Sequence, residues 1–265
     1  MSKVGVVLSG GGAKGAFQVG VLQRLIEKGV KPSVFFGTSV GALNAAGMAY
    51  LGIDDLTKLW LAIKGKNDIL CPAWWKLLWM GGLYSMKPLR EKLAQVIKGD
   101  SMAEAVVCYV DLPKGQIHYA SNLDMSVEEF RRYVEASAAI PGVMELPDGV
   151  LADGGVREQT PLKQAIKAGC DEIHVILCNP MEENPVDHWL ASFPKVASTI
   201  MRVIDVMEHE VFLNDILLCD KRNSDPNYKQ ITLKVYAPDI LLIDTLEFDP
   251  AKIRQAMEQG REAVV

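Results

Sequence analysis

The sequence predicts an α/β fold with a mostly parallel central sheet. Three observations carry that prediction. A β-branched run at the N-terminus enters a glycine loop, an apolar helical pattern follows it, and a second short strand runs straight into G-x-S-x-G. Strand, loop, helix, strand, elbow, helix is the order expected of parallel strands, which need crossover connections and not hairpins.

Taken in order, "KVGVVL" (residues 3–8) reads as a buried strand. The glycine loop 9–15 comes next. "AFQVGVLQRLIEKG" then puts Phe17, Val21 and Leu25 on one face, with Leu22 and Ile26 beside them, and stops at Gly29, so it reads as an amphipathic helix with a C-terminal glycine. "SVFFG" (33–37) is the second strand and "VGALNAAGMAYLG" a helix of small residues. Downstream, "EAVVCYVDL" and "QIHYAS" form a hairpin through Pro113, Lys114 and Gly115, and a helix runs to "ASAAIPG". The strand-like "VLADGG", a helix over "PLKQAIKAG", the strand "EIHVILC", a helical region over roughly 188–220, a late strand in "YKQITLKVYAP" and a closing helix at 250–263 complete the chain. No linker, repeat or low-complexity tract divides it, so residues 1–265 read as one domain.

Composition narrows the function classes. An apolar share of 49% and a charged share of 23% are those of a globular protein. Net charge is −5 and no stripe of lysine or arginine is present, which argues against a nucleic-acid partner and against purely electrostatic docking on anionic lipid. Five cysteines (Cys71, Cys108, Cys170, Cys178, Cys219) show no C-x-x-C spacing and read as buried thiols of a reducing compartment. "MSKVGVVLSGGG" has no signal-peptide pattern and no stretch approaches 18 apolar residues, so the expected location is cytoplasmic. Oligomeric state is not legible at this level.

The loop "GGGAKG" satisfies G-x-G-x-x-G through Gly10, Gly12 and Gly15. A dinucleotide site would also want a carboxylate near the end of the second strand, where this chain has Gly37-Thr38-Ser39. Nor is the loop a phosphate-binding P-loop, since Gly15 follows Lys14 where Ser or Thr belongs. A third use is an anion cradle: glycines let successive backbone N–H groups converge, helped by the positive end of the next helix. In "GTSVG" a strand enters and a helix leaves, the context in which G-x-S-x-G holds a nucleophilic serine on top of a sheet, with Gly37 and Gly41 giving the turn room. Ser39 is the candidate nucleophile.

Its base is less plain. His118 and His174 sit in strand-like runs, His209 lies mid-helix between glutamates, and His188 opens a helix. His174, His188 or His209 would each complete a triad in Ser…Asp…His order, as in a histidine-dependent esterase. Asp153, at the end of an apolar run and before Gly154 and Gly155, is the other candidate, because strand C-termini are where α/β sheets build sites.

"GGGAKG", "GTSVG", "ASAAIPG" and "DGG", in this order and with these gaps, resemble the bacterial patatin-like phospholipases over residues 4 to about 180. The resemblance implies a three-layer α/β/α sandwich and a lipid acyl hydrolase that forms an acyl-serine with a Ser–Asp dyad and no metal or organic cofactor. It implies Ser39 as nucleophile, Asp153 as base, the Gly10–Gly11–Gly12 backbone as oxyanion hole, and Lys14 as that motif's basic residue. Substrate is then a phospholipid or another acyl-ester lipid. An aspartate can serve as base where burial raises its pKa, and its acidic limb should then part from the 6.5 of a histidine. Non-catalytic lipid binding and dinucleotide binding stay open as alternatives.

Four of the five tryptophans (Trp60, Trp74, Trp75, Trp79) fall between residues 60 and 80. With Pro72 and Gly81-Gly82 they suggest that 64–100 forms an amphipathic cap and not sheet, lining an acyl pocket or meeting the membrane peripherally.

Overall fold

The computed structural model describes residues 3–73, 82–181, 216, 219, 221–225, 227–228 and 230–265. Its main sheet contains β1 (Val4–Leu8), β2 (Val34–Thr38), β5 (Glu104–Asp111), β6 (Gln116–Ser121), β8 (Leu151–Asp153), β9 (Glu172–Ile176) and β10 (Thr232–Tyr236). The order is β10-β9-β1-β2-β5-β6, parallel from β10 through β5 and antiparallel at the β5–β6 hairpin. Helices α1 (Gly15–Glu27) and α2 (Val40–Tyr50) follow β1 and β2, as the alternating pattern requires. Further along lie α3 (Gly52–Leu61), α4 (Lys87–Val96), α5 (Val127–Ser137), α6 (Leu162–Lys167) and α7 (Pro250–Glu262).

Alternation along the strands sends side chains into two cores. Val6 and Leu8 of β1 join α1, α2, α3, α5 and α7 on one face, whereas Val7 joins Leu162 and Ala165 of α6 on the other. That division makes three layers, helices over and under a sheet.

The segment expected to be a cap is partly sheet. β3 (Cys71–Pro72) pairs antiparallel with β4 (Gly82–Ser85), which pairs parallel with β7 (Gly142–Met144). The expectation of a cap without strands is therefore corrected: Gly82 can take its place because a side chain there would meet the Met144 carbonyl at 2.2 Å. Trp74, Trp75 and Trp79 lie outside the described residues, as do His188, His209 and most of the 188–220 helical expectation. A second correction concerns the cysteines. Four are buried, but Cys71, on the short β3, is exposed.

The site is positioned by one edge of β5. Thr38 at the end of β2 pairs with Cys108, and Asp153 at the end of β8 pairs with the next residue, Tyr109. β6 occupies the other edge at both rungs, through Tyr119 and His118. β2 runs parallel to β5 and β8 antiparallel, so their C-termini meet head-on along a single edge.

Candidate active site

Head-on strands explain how residues 114 positions apart come together. Ser39, immediately after β2, takes φ 57° and ψ −125°, a strained left-handed turn for a residue with a side chain. The turn closes tightly: a Cβ on Gly37 would sit 2.2 Å from the Gly41 carbonyl, and one on Gly41 would sit 2.2 Å from that of Leu8. Ser137, at the end of α5, steadies the elbow by accepting the Ser39 N–H at 3.0 Å. Ser39 lies near enough to the Asp153 carboxylate to pull its pKa down against the effect of burial.

Asp153 is 4% exposed, and the Gly155 N–H donates to its Oδ1 at 2.8 Å. Burial pushes its pKa up from 3.8 to about 7, against the opposing pull of the Gly155 N–H and of Ser39. Gly154 packs on Cys108, whose thiol burial raises well above its ordinary value. The other described histidines stand elsewhere. His118 stacks on Tyr109. His174 is fully buried in β9 between the Tyr236 hydroxyl (3.1 Å) and Glu172 (3.0 Å), and burial holds its imidazole below the ordinary value.

The three glycines named for the anion cradle divide. Gly10 donates its N–H to the Gln159 carbonyl at 3.1 Å, so that donor is already committed. The N–H groups of Gly11 (φ 148°) and Gly12 (φ 59°) donate to no acceptor among the described residues, and neither does that of Val40, the residue after Ser39. Val40 was missed in the sequence, although its place after the serine is the signal that would have found it. Lys14 is 3% exposed and its ammonium lies 2.6 Å from Asn179 Oδ1, so it buttresses the loop from inside. Gly15 opens α1 against Val40 and Asn44.

Beside Ser39 and Gly12 opens a cavity of about 140 Å³, walled by α2, α3 and α4 through residues such as Leu43, Leu56, Trp60, Leu89 and Leu93. Val40, Leu43, Asn44 and Gly47 line it in turn along α2, so it runs roughly 12 Å from the serine at the helical rise per residue. Among the described residues no three histidine, cysteine or carboxylate side chains converge as metal ligands.

The arrangement is thus an apolar cavity opening on a serine elbow. The family model for patatin-like phospholipases matches residues 6–166, and the chain belongs to that family. Lysophospholipase NTE1 of Candida glabrata is 28% identical over 185 residues, 65% of this chain and 10% of that protein. Patatin-like phospholipase domain-containing protein 7 of Rattus norvegicus is 25% identical, covering 70% of this chain and 14% of its own length. The Escherichia coli protein YjjU, uncharacterized, is 22% identical over 78% of this chain and 61% of that one. This chain thus spans only a small part of the yeast and rat relatives. Among solved structures, VipD of Legionella pneumophila aligns over 98% of this chain and 65% of its own, with TM-score 0.49 and 15% identity.

Proposed function

We propose that the protein hydrolyses acyl esters of lipids, of the phospholipase A or lysophospholipase type, through an acyl-Ser39 intermediate. One observation carries the reading: Ser39, on a strained elbow in the wall of an apolar cavity, lies close enough to the buried Asp153 carboxylate to act on its acidity. Asp153 takes the hydroxyl proton as Ser39 Oγ bonds to the ester carbonyl carbon, and the resulting oxyanion faces the N–H groups of Gly11, Gly12 and Val40. The C–O bond to the leaving alcohol breaks, and Asp153 returns its proton to that oxygen. Water, deprotonated by Asp153, then releases the fatty acid and frees Ser39. A base with a pKa of about 7 suits both halves of this cycle near neutral pH.

The cavity takes the acyl chain, and Leu59, which lines it yet remains 38% exposed, marks the side that meets the lipid interface peripherally. Free thiols at all five cysteines suit the reducing cytoplasm. Of the competing readings, a dinucleotide site lacks its carboxylate at the end of β2, where the Thr38 hydroxyl instead donates to the Glu158 carbonyl. A histidine-dependent esterase would need His174, His188 or His209 near Ser39; His174 is spent on Tyr236 and Glu172, and His188 and His209, outside the described residues, keep that reading as the rival to be tested. The test is fluorophosphonate labelling with peptide mapping: a label on the Ser39 peptide, lost in Ser39→Ala, is expected. An unlabelled, well-folded protein would leave lipid or nucleotide binding as the function.

A further inference from the structure

Beneath the glycine loop runs a buried chain of side-chain amides that takes no part in the chemistry above. The Trp60 Nε1–H donates to Asn44 Oδ1 at 2.8 Å. Asn44 Nδ2 donates to the Gly15 carbonyl at 3.0 Å and to Gln18 Oε1 at 2.9 Å. Gln18 Nε2 donates onward to the carbonyls of Ser9 at 2.8 Å and Ile176 at 3.2 Å. Asn44 and Gln18 are fully buried and Trp60 is 7% exposed.

Two of the three carbonyls that accept from this network bracket the loop. Ser9 immediately precedes Gly10, and Gly15 immediately follows Lys14. Asn44 therefore grips the loop's exit directly and its entry through Gln18. Orientation matters as much as contact. An indole N–H can only donate, so it requires the oxygen of the Asn44 amide, which turns Nδ2 towards Gly15 and Gln18; that in turn turns Gln18 Nε2 towards Ser9. A fully satisfied buried network of this kind is rigid. Trp60 and Asn44 also line the cavity beside Ser39.

We infer that Asn44 is a positioning residue that holds the glycine-loop donors opposite Ser39, and that Trp60, in the cavity wall, sets its orientation. The inference rests on the hydrolase reading. It makes the loop's geometry depend on a residue that the acyl chain touches, so the wall of the cavity bears on the rate of chemistry and not only on binding. A donor misplaced by about 1 Å can cost on the order of a hundredfold in rate.

Two variants of the full chain test it. Trp60→Phe keeps the ring in the wall and removes the N–H; Gln18→Met keeps the volume and removes both polar atoms. Active sites are counted by fluorophosphonate labelling run to completion, and kcat and KM are measured per labelled site on a short-chain p-nitrophenyl ester. Each variant is expected to lose roughly 10- to 100-fold in kcat per site, with KM within about twofold and the acidic limb of the pH profile unmoved. A purely structural role would instead lower the number of sites and leave kcat per site alone. If Gln18→Met fails to fold, Trp60→Phe decides. A kcat per site in Trp60→Phe within about twofold of wild type overturns the inference. Should the wild type never label, the hydrolase reading falls and amide hydrogen exchange over residues 10–14 takes its place. Exchange about tenfold faster in Trp60→Phe supports the clamp, and unchanged exchange overturns it.

Discussion

Replacing Asp153 by asparagine tests the site through stability and activity at once. The buried carboxyl holds its proton up to a pKa of about 7, against 3.8 for an ordinary aspartate. Because the folded state binds the proton more tightly than the unfolded chain, this group's contribution is most favourable below pH 3.8. It declines by about 1.4 kcal/mol per pH unit between 3.8 and 7 and is level above that. Roughly three units make about 4 kcal/mol of folding free energy lost at pH 8, a net figure that already includes the lowering by the Gly155 N–H and by Ser39. Asparagine never ionises, and its carbonyl oxygen can still accept the Gly155 N–H. Asp153→Asn should therefore match wild type in stability near pH 4 and exceed it by up to about 4 kcal/mol at pH 8. The same change should lower kcat at least about a thousandfold, since the base is gone. Urea unfolding at pH 4, 5, 6, 7 and 8, alongside ester hydrolysis, reads both. A stability difference that does not grow with pH would show that Asp153 does not titrate from a raised value. Retained activity would remove it as the base.

Four further outcomes follow from the site and from the packing around it. The acidic limb of kcat/KM should lie near pH 7, with activity rising as Asp153 loses its proton; a limb near 4 would contradict the burial argument. Since that limb overlaps an ordinary imidazole, the pH profile does not part the dyad from a histidine as the sequence led one to expect, and mutation must: His174→Gln should retain most activity. Gly47→Leu should penalise long-chain esters far more than short ones, because even a Cβ there lies 2.7 Å from Leu56 Cδ1 inside the cavity wall, and equal losses would argue against an acyl pocket. Arg90→Met should destabilise by roughly 1–2 kcal/mol, by stranding the buried Glu135 carboxylate that the half-exposed Arg90 holds at 2.6 Å; an unchanged urea midpoint would show that water replaces the guanidinium.

Local sequence was enough for whatever depends on neighbours along the chain. Hydrophobic period and turn residues place β1, α1, β2, α2 and the β5–β6 hairpin, and the glycines around Ser39 announce an elbow because nothing larger fits a turn that tight. Those same local rules misjudge residues 64–100, where a two-residue strand and a four-residue strand form only because β7, sixty residues on, supplies an edge. Periodicity over so few residues carries no signal. They also treat Gly10, Gly11 and Gly12 alike, whereas the distant Gln159 carbonyl removes one donor from the three. Asp153 shows the division most clearly. In the chain it is an aspartate before two glycines, equally suited to a turn. The pairing of Thr38 with Cys108 and of Asp153 with Tyr109 brings it to Ser39, and burial there raises its pKa. Motifs name candidate groups because local chemistry limits what a residue can do. Only the tertiary structure sets their distances, partners and protonation, because each of these depends on atoms far away in sequence.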